Sequence, residues 1–153
     1  MSDTPKFQPP GTAQEVEDGD VLMPRFGADG TLAAIATDAE TGDVLMFAWM
    51  NAEALALTIE TGEAHFYSRS RQRIWKKGED SGNVLDVVEL RADCDQDAVW
   101  MRVKARGKGA ACHTGHRTCF YRRIPLKSVD FRLEHAGTPR DFNPADVYGK
   151  PKS

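Results

Sequence analysis

TLAAIATDAETGDVLMFAWMNAEALALTIETG, residues 31–62, is the stretch whose reading decides the fold. Two β-rich runs, TLAAIAT (31–37) and VLMFAWM (44–50), flank DAETGD (38–43), a Gly and Asp cluster of the kind that reverses a chain between paired strands. Two antiparallel strands are therefore expected. Asn51 then offers its side-chain oxygen as the N-cap of AEALALTIET (52–61), satisfying an amide that the first helical turn leaves free. Leu55, Leu57 and Ile59 supply packing surface, and Gly62 stands where the helix should stop.

Working outward, four further β-rich runs follow the helix: HFYSRS (65–70), VLDVVEL (84–90), DAVWMRVKA (97–105) and FYRRIPL (120–126). The chain thus reads as α+β, a β-rich and mostly antiparallel sheet with few helices. Residues 1–20, with Pro5, Pro9, Pro10, Gly11 and the acidic run EVEDGD, read as a flexible arm, and residues 135–153 as a Pro and Gly-rich tail. A single domain over 21–134 lies between them. The chain has 153 residues, the size of one domain. Its longest apolar run, 44–50, is far short of the ~20 residues that a membrane-spanning helix needs. The first ten residues lack the apolar stretch of a secretory signal, and the expected location is the cytoplasm.

The formal net charge of −3 hides an asymmetry: residues 65–127 carry 14 Lys and Arg against 7 Asp and Glu. Cationic charge concentrated there points to an anionic ligand such as a phosphate. The loop-like stretch HFYSRSRQRIWKKGEDSGN (65–83) supplies Arg69, Arg71, Lys76 and Lys77 with Trp75 and Ser81, the cations, hydroxyls and aromatic surface that a phosphate or nucleotide site requires. Ser68 and Ser70 are weaker candidates for the same task. Phe66 reads better as a core residue.

All three cysteines, Cys94, Cys112 and Cys119, lie in the same cationic half. An odd number of thiols in a chain without a secretory signal argues for metal or catalysis rather than a disulfide framework. Thiolate with imidazole is ligand chemistry for Zn²⁺: three cysteines alone leave a coordination position open for water, whereas a fourth ligand from His116 would make the site structural. Around Cys94, Asp93, Asp95 and Asp97 alternate along the chain, so an extended backbone would put the three carboxylates on one face. Such charges repel unless water screens them or a hard cation such as Mg²⁺ bridges them.

Taken together, FAWMN (47–51), FYSRSR (66–71), IWKKGEDSGN (74–83), DCDQDA (93–98) and ACHTGHRTCFYRR (111–123) resemble the phosphoribosyl-AMP cyclohydrolase family. The resemblance spans residues 32–125, and no second catalytic domain follows, as in the family's stand-alone form. It implies an enzyme of histidine biosynthesis that opens the adenine ring of 1-(5-phosphoribosyl)-AMP between ring nitrogen 1 and carbon 6. It further implies Zn²⁺ on Cys94, Cys112 and Cys119, Mg²⁺ on Asp93, Asp95 and Asp97, and an intertwined homodimer in which Cys94 comes from one subunit and the other two thiols from its partner. His113, beside a ligand cysteine, is the expected proton carrier, because imidazole titrates near working pH. His116 falls where the family does not require histidine and is expected to be a bystander. The rival readings are a zinc-stabilised nucleic-acid-binding module, which three clustered aspartates disfavour by repelling a phosphate backbone, and a related purine deaminase. No nucleic-acid or membrane partner is expected.

Overall fold

The computed structural model describes residues 7–107, 111–112 and 116–137. Strands β1 (Leu32–Asp38) and β2 (Val44–Met50) pair antiparallel as expected. The turn between them is held by Asp38, whose carboxylate accepts from the backbone N–H of Glu40 and Thr41. A short helix α1 (Ala13–Asp18) precedes these strands, and after β2 Asn51 caps α2 (Ala52–Thr61): its Oδ1 accepts from Ala54 N–H at 2.9 Å. Gly62 ends α2 at φ 72°, a left-handed conformation that costs glycine nothing.

Next come β3 (His65–Ser68), β4 (Arg73–Lys76), β5 (Leu85–Ala92) and β6 (Ala98–Ala105). The main sheet has the order β2-β1-β6-β5, with β1 and β6 parallel and the other neighbours antiparallel. One face carries the core: Leu32, Ala34 and Ala36 of β1, Met46 and Met50 of β2, and Val99, Met101 and Val103 of β6 cluster with Ala54 and Leu55 of α2 and with Phe66 of β3. The opposite face is open. Register aligns Phe47, Ile35 and Trp100 across three strands, and each stays 37–45% exposed.

Four expectations are corrected. The stretch 65–83 is no continuous loop, since Arg73–Lys76 pairs with β3 as β4. The strand expected over 120–126 shortens to β7 (Arg122–Arg123), which pairs with β8 (Glu134–His135), so the tail begins inside a strand. Part of the N-terminal arm is ordered: Thr12 and Glu15 form a reciprocal capping box for α1, and Val16 is buried. Lastly, 93–97 is a turn rather than an extended segment. The expectations for residues 1–6 and 138–153 lie outside the described residues.

Candidate functional site

The turn between β5 and β6 folds on Asp93 and Gln96. Asp93 Oδ1 accepts from the N–H of Asp97 at 3.0 Å and of Ala98 at 3.2 Å, and its carbonyl accepts from Gln96 N–H at 3.1 Å. Gln96, buried, clamps the turn to the N-terminal segment: Nε2 donates to the Val16 carbonyl at 2.9 Å, Oε1 accepts from Met23 N–H at 2.7 Å, and its carbonyl accepts from Arg25 N–H at 2.7 Å. A turn gathers what a strand would have spread. One ligand atom each from Asp93, Asp95 and Asp97 lie within 4.8 Å of one another, the one such group of three or more among the described residues. Hydrogen bonding with Asp95, then with Asp93, pushes the Asp97 carboxyl up to about 6, whereas the bond from Asp97 holds Asp95 below its ordinary value. Asp95 Oδ1 is buried with no hydrogen-bond partner among the described residues. An acceptor without a donor beside crowded like charges suits an oxygen-seeking divalent cation, so these residues fit Mg²⁺.

The thiols sit elsewhere. Cys119 N–H donates to the Leu45 carbonyl at 2.7 Å, fixing that sulfur beside the start of β2, and Ala111 and Cys112 N–H donate to the carbonyls of Arg117 and His116. Cys112 is buried and Cys119 exposed. Their side chains hydrogen-bond; that bond with Cys112, followed by desolvation, drives the Cys119 thiol far above its ordinary value. Lys77 is 8% exposed, and its burial pulls the ammonium down while Cys119 and Cys112 oppose that shift, which places its charge by the two sulfurs. Two adjacent sulfurs suit a soft divalent ion and the ammonium nearby favours their thiolate form, but they provide only two ligands. Cys94 is not the third within this chain: it stands in the turn before β6, and among the described residues no group of three ligating side chains other than the aspartates comes together. The His116 ring stacks on Tyr121 at 3.7 Å, with Nε2 3.4 Å from Nε2 of His135. His113 lies outside the described residues.

The cationic residues separate as well. Lys76 Nζ pairs with Glu63 at 2.5 Å, and Arg106 reaches the same oxygen at 3.3 Å, so this lysine is already engaged. Ser81 Oγ accepts from Asn83 N–H in a local turn, and Arg71, exposed, has its backbone N–H on Ser68 Oγ. Of the expected substrate-binding residues, Arg69 and Trp75, with the weaker candidates Ser68 and Ser70, line an open cleft of about 720 Å³, along with Asp29, Phe47, Trp49 and Tyr67. Trp75 also packs on the buried Phe66 with ring centroids 5.1 Å apart. Trp49, Gln96 and Asp29 were missed by the sequence reading: Trp49 is hidden in an apolar run, Gln96 among aspartates, and Asp29 lies outside every cluster.

A small α+β protein with a carboxylate turn, a thiol pair and an aromatic cleft is equipped for metal and nucleotide chemistry. The family described as phosphoribosyl-AMP cyclohydrolase matches residues 46–121. The chain is 53% identical to a phosphoribosyl-AMP cyclohydrolase of Rhizobium leguminosarum bv. trifolii over 94% of this chain and 95% of that protein. It is 55% identical to one of Rhodopseudomonas palustris over 92% and 93%, and 51% identical to one of Agrobacterium fabrum over 91% and 93%. The chain belongs to the phosphoribosyl-AMP cyclohydrolase family, hydrolases of histidine biosynthesis.

Proposed function

We propose that the protein hydrolyses 1-(5-phosphoribosyl)-AMP, adding water at carbon 6 of the adenine ring and breaking the bond to ring nitrogen 1, which takes up a proton as it leaves, to give the formimino-aminoimidazole carboxamide ribotide. The observation that carries this reading is the division of the thiols: Cys94 stands in the carboxylate turn at one end of β6 while Cys112 and Cys119 hydrogen-bond at the other. Neither set completes a site alone. A second copy, docked in a two-fold dimer, would bring its Cys94 and carboxylate turn to the first copy's thiol pair, and the other way round. On the open face of the main sheet, Ile35 and Trp100 are exposed and do not line the cleft, which leaves apolar surface for such a contact.

Cys94, Cys112 and Cys119, drawn from two copies, would hold zinc, whose Lewis acidity would bring the pKa of water down toward ~7. Alkylation at ring nitrogen 1 already makes carbon 6 electrophilic. His113 carries the proton from water to the departing nitrogen. Lys77 offsets the charge of three thiolates, which would otherwise blunt the metal's acidity. Asp93, Asp95 and Asp97 would hold Mg²⁺, which would supply positive charge to offset the phosphates of the substrate. All of this requires only small molecules and a second copy in the cytoplasm. Among the described residues no helix is long and apolar enough to cross a membrane.

The test is a spectrophotometric assay with synthesised 1-(5-phosphoribosyl)-AMP on wild type and Cys112→Ser, with metal content measured for both. Ring opening that disappears together with bound zinc is expected. Release of ammonia would instead identify a deaminase, and no turnover by folded, zinc-loaded and Mg²⁺-supplied protein would sink the reading.

A further inference from the structure

The cleft between β2 and β3 gathers aromatic, cationic and hydroxyl side chains on one open surface. Phe47 and Trp49 alternate onto the open face of β2, and their rings meet edge to face at 5.2 Å. Phe47 remains 45% exposed. Over the Trp49 ring lies the Arg69 guanidinium, 4.1 Å from the centroid. That is close to the separation at which one flat group stacks on another. The guanidinium is weakly held on its far side, because its ion pair with Asp29 spans 3.9 Å and both side chains are about half exposed. Ser68 and Ser70 hydroxyls stand 3.4 Å apart at the rim. Across the sheet, Trp49 pairs with Ala33 and Ala33 with Ala98. Directly opposed residues share a face, so two alanines leave the floor flat from the indole to the edge of the carboxylate turn, about 10 Å away at ordinary strand spacing.

We propose that Trp49 is the stacking platform for the purine of the substrate, that Arg69 occupies this platform in the free protein and leaves it to pair with a phosphate, and that Asp29 is the latch holding Arg69 in the resting position. The proposal rests on the nucleotide-hydrolase reading above and adds to it the residues that receive the base. An arginine plane and a purine plane compete for one indole face, and the indole suits both. Once displaced, Arg69 has a planar fork suited to phosphate oxygens. Asp29 stays ionised, with the Thr31 hydroxyl and then its backbone N–H holding the carboxyl below its ordinary value. It therefore competes with the phosphate for the guanidinium. An asparagine there keeps the acceptor for Thr31 and loses the competing charge.

The proposal is tested by calorimetric titration of the full chain with AMP and with adenosine. Trp49→Leu should weaken AMP binding at least tenfold, the range in which base stacking on an aromatic side chain falls. Trp49→Phe, which keeps an aromatic face, should stay within about threefold and covers the case in which the leucine variant fails to fold. Arg69→Ala should weaken AMP about tenfold but leave adenosine unchanged or tighter, because nothing then has to be displaced. Asp29→Asn should tighten AMP severalfold. Wild type that does not bind AMP, a folded Trp49→Leu that binds it within twofold of wild type, or equal weakening of AMP and adenosine by Arg69→Ala would each overturn the proposal. Ring opening is assayed separately: turnover with an unchanged KM in Trp49→Leu sinks the platform and spares the hydrolase reading, whereas AMP binding lost with Trp49 in a protein without turnover does the reverse.

Discussion

Arg117 donates to Asp43 at 2.6 Å and to Asp38 at 3.0 Å, so one guanidinium ties the loop bearing Cys112 and Cys119 to the turn between β1 and β2. For Asp38, partial burial works upward, but the Glu40 and Thr41 amides and then Arg117 pull it below its ordinary 3.8; for Asp43, Arg117 and then the Thr41 hydroxyl do so. Both carboxylates are depressed in the folded state. Their contribution is therefore present above the unfolded value near 4 and is lost as pH falls through the lowered folded values. Arg117→Met should lower stability by about 1 kcal/mol at pH 7, a modest figure because solvent reaches the pair, and the gap from wild type should narrow as pH falls below about 4. Denaturant melts at pH 7 and pH 3 measure this, and a gap as large at pH 3 as at pH 7 would count against it. Gln96 is the other single-residue anchor. Gln96→Leu strips partners from the buried Val16 carbonyl and Met23 amide, which should cost about 2–3 kcal/mol. Hydrogen exchange should accelerate first at Met23 and across α1, and loss of Mg²⁺ binding should accompany it because the carboxylate turn loses its clamp.

The β3–β4 hairpin depends on the backbone beyond it. Gly78, at φ 86°, lies so close to the next segment that an added Cβ would stand 2.3 Å from Val84 N and 2.4 Å from Asn83 C. Nothing there can yield, since both atoms are backbone. Gly78→Ala should therefore destabilise by roughly 3 kcal/mol or more, counting the clash and the left-handed conformation together, and thermal melting against wild type reads it directly. The same region shows which elements the sequence disclosed. The turn DAETGD and the pair Asn51 and Gly62 announced β1, β2 and α2 because capping and reversal are local chemistry. Arg73–Lys76 did not announce β4, as RIWK is four residues long without a clear period of two. Thr12 and Glu15 carried a capping box that the Pro-rich surroundings obscured. Charge in the sequence pointed to residues 65–83 but not to the partners of its lysines: Lys76 pairs with Glu63, and Lys77 lies in the buried surroundings of the thiols, partners that only the fold supplies. The three aspartates were found together for a reason that did not hold, since a turn and not a strand face gathers them.

At the scale of the whole molecule, the separation of Cys94 from Cys112 and Cys119 gives the two-copy reading a decisive consequence. Cys94→Ser and Cys112→Ser should each be inactive alone. Mixed by co-refolding, they should regain about a quarter of wild-type activity, because half of randomly formed two-fold dimers are hybrids and each hybrid has one undamaged site. No recovery in a mixture shown to contain hybrids would mean that each chain builds its own site.

The parallel pairing of β1 with β6 matters before the protein is finished. Ala33 lies beside Ala98, yet at ~5–20 residues per second the ribosome delivers the second on the order of 3–13 s after the first. Through that interval the β1–β2 hairpin has emerged with one flank of β1 bare, its amides and carbonyls open to any passing strand. The β5–β6 hairpin, by contrast, is born with its partner adjacent in the chain. The central seam of the sheet is thus the last to close during translation, and a nascent chain stalled before Ala98 exposes an adhesive edge that the mature protein never presents.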